Sequence, residues 1–483
     1  MNLRRAAVPV AAAAVLALAP AALAGHAFSA STTTAGGYHT WDSDLIDTEL
    51  VSQTGAGVYV AVLDTGLVPN WPDYFPDERV AQELGAGFYQ NITFKAHSQD
   101  GCELDTEIGP LKQVSYLGSR GSSHGTHVAS TIIGYNYRSN ADLTQGFNLP
   151  AIQVRGIAPD ATIIPVRVLA DYQVPALPKC EDPTPSGLQV FGTSEMVAAG
   201  IDYVTSLKEG VLADHPVVIN MSLGSDPDVE IVDVEREAVD RAIAAGVIVV
   251  AAAGNDGEAG MSAPGSYAPV ISAGAAGWTG EWLDQETDPE GPDNGFRYRM
   301  FWLKNVMGNG AGTAGSLVPP LNAGSGDVSE GDASRIYVTD FSSREHAALD
   351  QDLDVLAPGS WVRGPFAGTP GFNHLPWWSK GFGDLFRNTG NFYYVGGTSM
   401  ASPHVAAVAA LMLQKNPDLT AAQVETILTT TAMDFGAGSA MVWDPFHVDA
   451  DGNAVPAFVE FTWNADAVGE GVLQADAAVA ATP

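Results

Sequence analysis

A chain of 483 residues with 46% hydrophobic content can bury a large core, and length alone leaves one large α/β domain or two ordinary ones open. A formal net charge of -34 and an isoelectric point near 4.3 exclude long-range attraction to nucleic acid or to anionic membranes, which such a surface repels. The acidic residues are spread along the chain rather than gathered in a tail, so they read as a solvated acidic surface.

At the N-terminus, Arg4 and Arg5 precede an apolar run from Ala6 to Ala19, and Ala22-Leu23-Ala24 supplies the small residues of a cleavage site. Residues 1–24 therefore read as a signal peptide and the mature chain as secreted. The run is short for a bilayer span and contains Pro9, with Pro20 just beyond it, and no later segment is apolar enough to cross a membrane. Residues 25–56 make a short N-terminal segment, polar from Ser29 to Gly37. Cys102 and Cys180 are the only cysteines; in an exported chain one disulfide and two free thiols are both open, and neither cysteine has metal-ligand spacing.

Short β-branched runs follow, at Val58 to Leu63, Thr162 to Leu169, Val217 to Ile219, Val247 to Ala251 and Val270-Ile271. They are apolar on both faces, as strands of a parallel sheet covered by helices must be. Thr193 to Lys208 and Ile231 to Ala245 carry apolar residues at helical spacing, and Gly246 is placed to cap the second. The alternation predicts an α/β fold, a doubly wound, mostly parallel sheet flanked by helices. Ligands bind such sheets at the carboxyl ends of the strands, where Asp64 and Asn255 fall. From about 277 to 335 the rhythm breaks into a stretch rich in Gly, Pro and acidic residues, with Trp278, Trp282 and Trp302, which reads as a long, packed insertion. A smaller Gly- and aromatic-rich segment runs from Trp361 to Phe392.

Three segments carry candidate chemistry. Ser399 lies in Gly396-Gly397-Thr398-Ser399-Met400-Ala401-Ser402-Pro403-His404, with glycines before it and an apolar helical run after it. That pattern sets the hydroxyl at a helix N-terminus, where the positive end of the helix favours negative charge, and Pro403 fits early in that helix. His124 opens Ser123-His124-Gly125-Thr126-His127, and Asp64 ends an apolar strand in Val62-Leu63-Asp64-Thr65-Gly66. A buried carboxylate at that point calls for a compensating partner such as an imidazolium. A serine nucleophile needs a base, a carboxylate to orient the base and donors for an oxyanion, and the chain offers each. His127 and His404 read as structural histidines, and Asp64-Thr65-Gly66 taken alone could be a plain turn.

In the order Asp, His, Ser, these segments resemble the signatures of the subtilisin-like serine proteases, the subtilases of peptidase family S8. The resemblance implies a Ser-His-Asp triad of Asp64, His124 and Ser399 in a secreted serine endopeptidase working through an acyl-enzyme. Ala251 to Asn255 resembles the family's oxyanion stretch, which implies that the Asn255 amide and the Ser399 backbone N–H hold the oxyanion. Met221 to Gly224 resembles its substrate-binding edge, so Ser222, Leu223 and Gly224, with Ala252, Ala253 and Gly254, are implied walls of the cleft. Asp256, directly after the asparagine, would bias cleavage toward basic residues. Gly156 to Ala161, Phe341 to Ser343, Leu353 to Gly359 and Gly469 to Val479 match as well, which extends one peptidase domain over 57–483 with the insertion inside it.

Partners implied are protein or peptide substrates, with no nucleic acid, no membrane and a monomeric chain. The chemistry requires no cofactor and no catalytic metal. Enlarged loops after Asp64 and before Thr162 disturb regions where relatives bind calcium, and Asn136, Asn140 and Asp142 offer oxygens there without assigning a site. Only Gly25 to Gly57 would remain ahead of the first catalytic strand after signal cleavage, too little for the folding pro-domain of many relatives. A silent binding protein has no chemical need for the triad and the asparagine together. An esterase would carry Gly-x-Ser-x-Gly, and a sedolisin-type acid peptidase would carry a glutamate in place of His124.

Overall fold

The computed structural model describes residues 32–96, 104–119, 123–137, 152–176, 186–227, 230–284, 299–300, 333–349, 351–366, 392–444 and, save 450, 451, 454 and 456, 447–483. Cys102, Cys180, Asn140, Asp142 and Trp302, like the predicted signal peptide, lie outside them. So do most of the stretch from 277 to 335 and residues 367–391.

Its centre is a nine-stranded sheet. The strands are β1 (Tyr59–Asp64), β2 (Ala86–Tyr89), β3 (Lys112–Val114), β4 (Thr162–Arg167), β5 (Val217–Met221), β6 (Ile248–Ala252), β7 (Ile271–Trp278), β8 (Ile336–Val338) and β9 (Val355–Pro358). They lie in the order β8-β7-β6-β5-β1-β4-β2-β3, with β9 also paired to β7. The pairings are parallel except β7 with β8 and β2 with β3. Val60 lies opposite Val218 on one side and Ile163 on the other. The predicted strands and the doubly wound architecture are therefore present, each strand within a residue or two of its predicted start.

Side-chain alternation along β1 explains why both faces must be covered. Val60 and Val62 enter one core with Val128, Ile132 and the helical run Val405 to Leu413, whereas Ala61 and Leu63 enter another with Val197, Ile201, Val239 and Ala242. Burying each such valine or leucine contributes about 1.5–3 kcal/mol, so neither face can be left to solvent. The helices are α1 (Trp41–Leu45), α2 (His124–Ile133), α3 (Ser194–Glu209), α4 (Asp233–Ala244), α5 (Thr398–Lys415), α6 (Ala421–Thr430) and α7 (Ala475–Ala481). α2 and α5 cover the first face, α3 and α4 the second. Helix α4 ends as expected: Gly246 adopts φ +83°, its N–H bonds the Ile243 carbonyl (2.9 Å) and the Val247 N–H bonds that of Ala242 (3.0 Å).

Helix α1 is part of the same body. Trp41 is buried and its indole N–H donates to the Trp361 carbonyl (3.1 Å), while the Asp42 carboxylate reaches the His404 ring on α5 (3.2 Å). Strand β7 runs on to Trp278, and β8 returns beside it. The root of the excursion between them is fixed by Glu281, fully buried, which accepts from the Tyr337 hydroxyl (2.5 Å) and the Ser360 hydroxyl (3.1 Å). Arg335 lies over the Trp278 ring at 4.9 Å. Among the described residues no helix is long and apolar enough to cross a membrane.

Candidate active site

Because β6, β5 and β1 are neighbours and parallel, their carboxyl ends open on one edge of the sheet. Asp64 closes β1 there, fully buried, with one oxygen accepting the Thr65 N–H (2.6 Å). Helix α2 begins directly above it. The Thr65 hydroxyl accepts the Gly125 N–H (2.9 Å), and a Cβ on Gly125 would stand 2.6 Å from the Gly66 carbonyl and 3.0 Å from the Asp64 Cβ. Only glycine lets the helix come this close.

The approach brings His124 Nδ1 within 2.9 Å of both Asp64 oxygens. Burial by itself would lower the imidazole's pKa, but the Asp64 charge and hydrogen bond outweigh it, so His124 binds its proton more tightly than an ordinary histidine. His127, three residues on, is different: burial, with the His124 ring adding to it, pushes it down to about 3, and its Nε2 lies 3.1 Å from the Val362 carbonyl. It is a neutral core residue, as expected. His404 is also a core residue, its Nδ1 2.7 Å from the Met400 carbonyl and its Nε2 3.2 Å from the Asp42 carboxylate.

Ser399 is the second residue of α5, where first-turn N–H groups have no intrahelical acceptor. Its hydroxyl donates to the Ser222 carbonyl (3.2 Å). Pro403 corrects one expectation. It is the sixth residue of the helix, not a first-turn residue, and its missing N–H leaves the Ser399 carbonyl without an intrahelical donor. The Ser222 hydroxyl takes that place, donating to the Ser399 carbonyl at 2.8 Å, within 2.8 Å of the Ser402 hydroxyl and accepting from the Asn220 amide (3.0 Å).

Asn255 follows β6. Its Oδ1 accepts the Thr398 N–H (2.9 Å) and lies 3.1 Å from the Thr398 hydroxyl, which also accepts the Gly254 N–H (3.1 Å). With the oxygen so committed, the amide NH2 is the group Asn255 has left to offer the exposed side.

A cavity of about 410 Å3 lies on this edge, lined by His124, Ser399, Asn255, Ser222, Leu223 and Gly224 among others. The structure thus brings together the three triad candidates, the asparagine and three of the predicted wall residues. Ala252, Ala253 and Gly254 are buried beside it and do not line this cavity, and Asp256 is exposed away from it, accepting from the Ser262 hydroxyl (3.4 Å). Of the oxygen donors weighed for calcium, Asn136 is described, and it pairs with Gln153 in a hairpin. Among the described residues no three His, Cys, Asp or Glu side chains converge as a metal site would require.

Sequence reasoning missed Glu235, which lines the same cavity, 7% exposed. It sits in an acidic, solvent-like stretch, Asp233 to Glu237, but lies three, four and seven residues before the buried Ala238, Val239 and Ala242. That helical spacing was the available signal.

The profile of the subtilase family, Peptidase_S8, matches residues 55–458. Subtilisin NAT of Bacillus subtilis subsp. natto is 27% identical over 387 residues, 79% of this chain and 62% of the relative. A subtilisin of Bacillus pumilus is 26% identical over 388 residues, 80% of this chain and 86% of the relative. The solved structure of sphericase aligns with a TM-score of 0.47 at 22% identity, covering 90% of this chain and 97% of that one. The chain spans about 62% of the length of the first of these relatives. The family profile covers most of the chain, and the chain belongs to the subtilase family.

Proposed function

We propose that the protein is an exported, monomeric serine endopeptidase that cleaves protein or peptide substrates. The observation that carries this reading is the His124 ring, held by both Asp64 oxygens at 2.9 Å on a cavity wall shared with Ser399 and Asn255. Family membership supports it.

In the reaction, Ser399 Oγ turns from the Ser222 carbonyl toward His124 Nε2, gives up its proton and attacks the substrate carbonyl. Asp64 holds the Nδ1–H tautomer and stabilises the imidazolium. The Asn255 amide and the Ser399 N–H, at the positive end of α5, bind the tetrahedral oxyanion. His124 then passes its proton to the leaving amine, and water repeats the sequence on the acyl-enzyme. Each proton and bond is accounted for by side chains, backbone and water, so the chemistry needs no cofactor.

Labelling with a fluorophosphonate probe tests the reading. The wild-type chain is expected to label and to hydrolyse casein, and Ser399→Ala to do neither. A folded wild-type chain that does neither would overturn the proposal in favour of a silent binding protein.

A further inference from the structure

The cavity crosses the sheet edge. Ser399 and His124 come from α5 and α2 on one face, whereas Ser194, Val197 and Glu235 come from the first turns of α3 and α4 on the other. The walls also include Leu169, Phe191 and Leu223, apolar side chains that suit an aliphatic stem. Glu235 adds a carboxyl group to this lining, from the α3 and α4 side. Nothing in the local fold explains it: Val232, the cap residue before α4, makes no side-chain cap bond, so Glu235 in the helix's third position is not part of a capping box. Its partner is the Ser194 hydroxyl, and burial pushes it up to about 7 against that bond. Among the described residues no lysine or arginine lines the cavity. Arg236, next in sequence, is committed to Asp233 (3.1 Å) and to the Ile231 carbonyl (2.8 Å), and Glu195 on α3 is exposed.

A carboxylate removed from water without a cation is costly, and an apolar-walled passage with one in its lining is complementary to a long basic side chain. We propose that Glu235 is a specificity-determining residue, which selects substrates whose lysine or arginine, remote from the scissile bond, reaches along this passage to its carboxylate. This rests on the peptidase reading for its substrate and assigns that substrate a chemical class.

The experiment uses pairs of short peptides that differ only by lysine or norleucine, scanned through each position, at pH 8. Binding is measured to full-length Ser399→Ala, and kcat/KM to the wild-type chain. At one position lysine is expected to win by about 10- to 100-fold, the scale of a hydrogen bond to a charged partner. Glu235→Gln, which keeps shape and hydrogen bonding, is expected to shrink that ratio to a few-fold, and Glu235→Leu to reverse it. A lysine preference that persists in both variants, or equal binding of every pair by Ser399→Ala, overturns the inference. Because binding to Ser399→Ala requires no chemistry, a wild-type chain that discriminates lysine through Glu235 yet cleaves nothing would overturn the peptidase reading and leave the assignment of Glu235 standing.

Discussion

Among the described residues two aspartate–histidine contacts are buried, and they differ in what the ring has left to do. In the Asp42–His404 pair both ring nitrogens are engaged, one at the Met400 carbonyl and one at the carboxylate, and the contact ties α1 to α5 inside the core. In the Asp64–His124 pair both carboxylate oxygens converge on Nδ1, and the ring lines the cavity. The chemistry of the partners is the same. A carboxylate and an imidazole become a reagent only where one nitrogen remains uncommitted at an open wall; elsewhere the same pair is a clamp.

The largest effect expected from breaking this contrast is at Asp64. Asp64→Asn should lower kcat by about 10^4-fold by releasing the Nδ1–H tautomer, while leaving the fold's melting transition in place. A loss under tenfold would mean that the pair is a clamp too. Next comes the other pair: Asp42→Leu should destabilise the fold by about 3 kcal/mol in denaturant titration, because it leaves a buried ring without its acid. Turnover per fluorophosphonate-titrated site should be unchanged, and a parallel fall in turnover would join the two pairs functionally.

The smallest effect is on pH. His124 is raised above its ordinary 6.5, so its protonated form is favoured in the fold. The stability this supplies is fully present below 6.5 and is lost as pH rises through the folded value. Catalysis needs the neutral ring and runs the opposite way: kcat/KM should rise about tenfold per pH unit up to a midpoint above 6.5. A midpoint below 6.5 would mean that burial, not Asp64, controls the ring.

The strands were legible because each is apolar on both faces, which only a sheet sandwiched between helices tolerates, and the triad candidates because each sits in a short, chemically peculiar context. What stayed hidden depends on distance in the chain. Asp42 and His404 are 362 positions apart, and neither has a local pattern to announce the other. Ser222 read as a cleft wall, yet its hydroxyl fills a vacancy created by Pro403, an exchange visible only once strand end and helix start are neighbours. Glu235 looked solvated because its sequence neighbours are; the packing of α3 against α4 turns it inward.

That exchange between Pro403 and Ser222 has a mechanical side. The Ser399 carbonyl is moored to Ser222, the residue directly after β5, not to the next turn of its own helix, while Asn220 in that strand braces the mooring. Any tilt of α5 that carried Ser399 out of line would have to drag on a strand buried along its whole length. Ser399 is therefore tied to the sheet as well as to its own helix, whereas Ser194 and Glu235, across the cavity, belong to the starts of helices that pack on the other face.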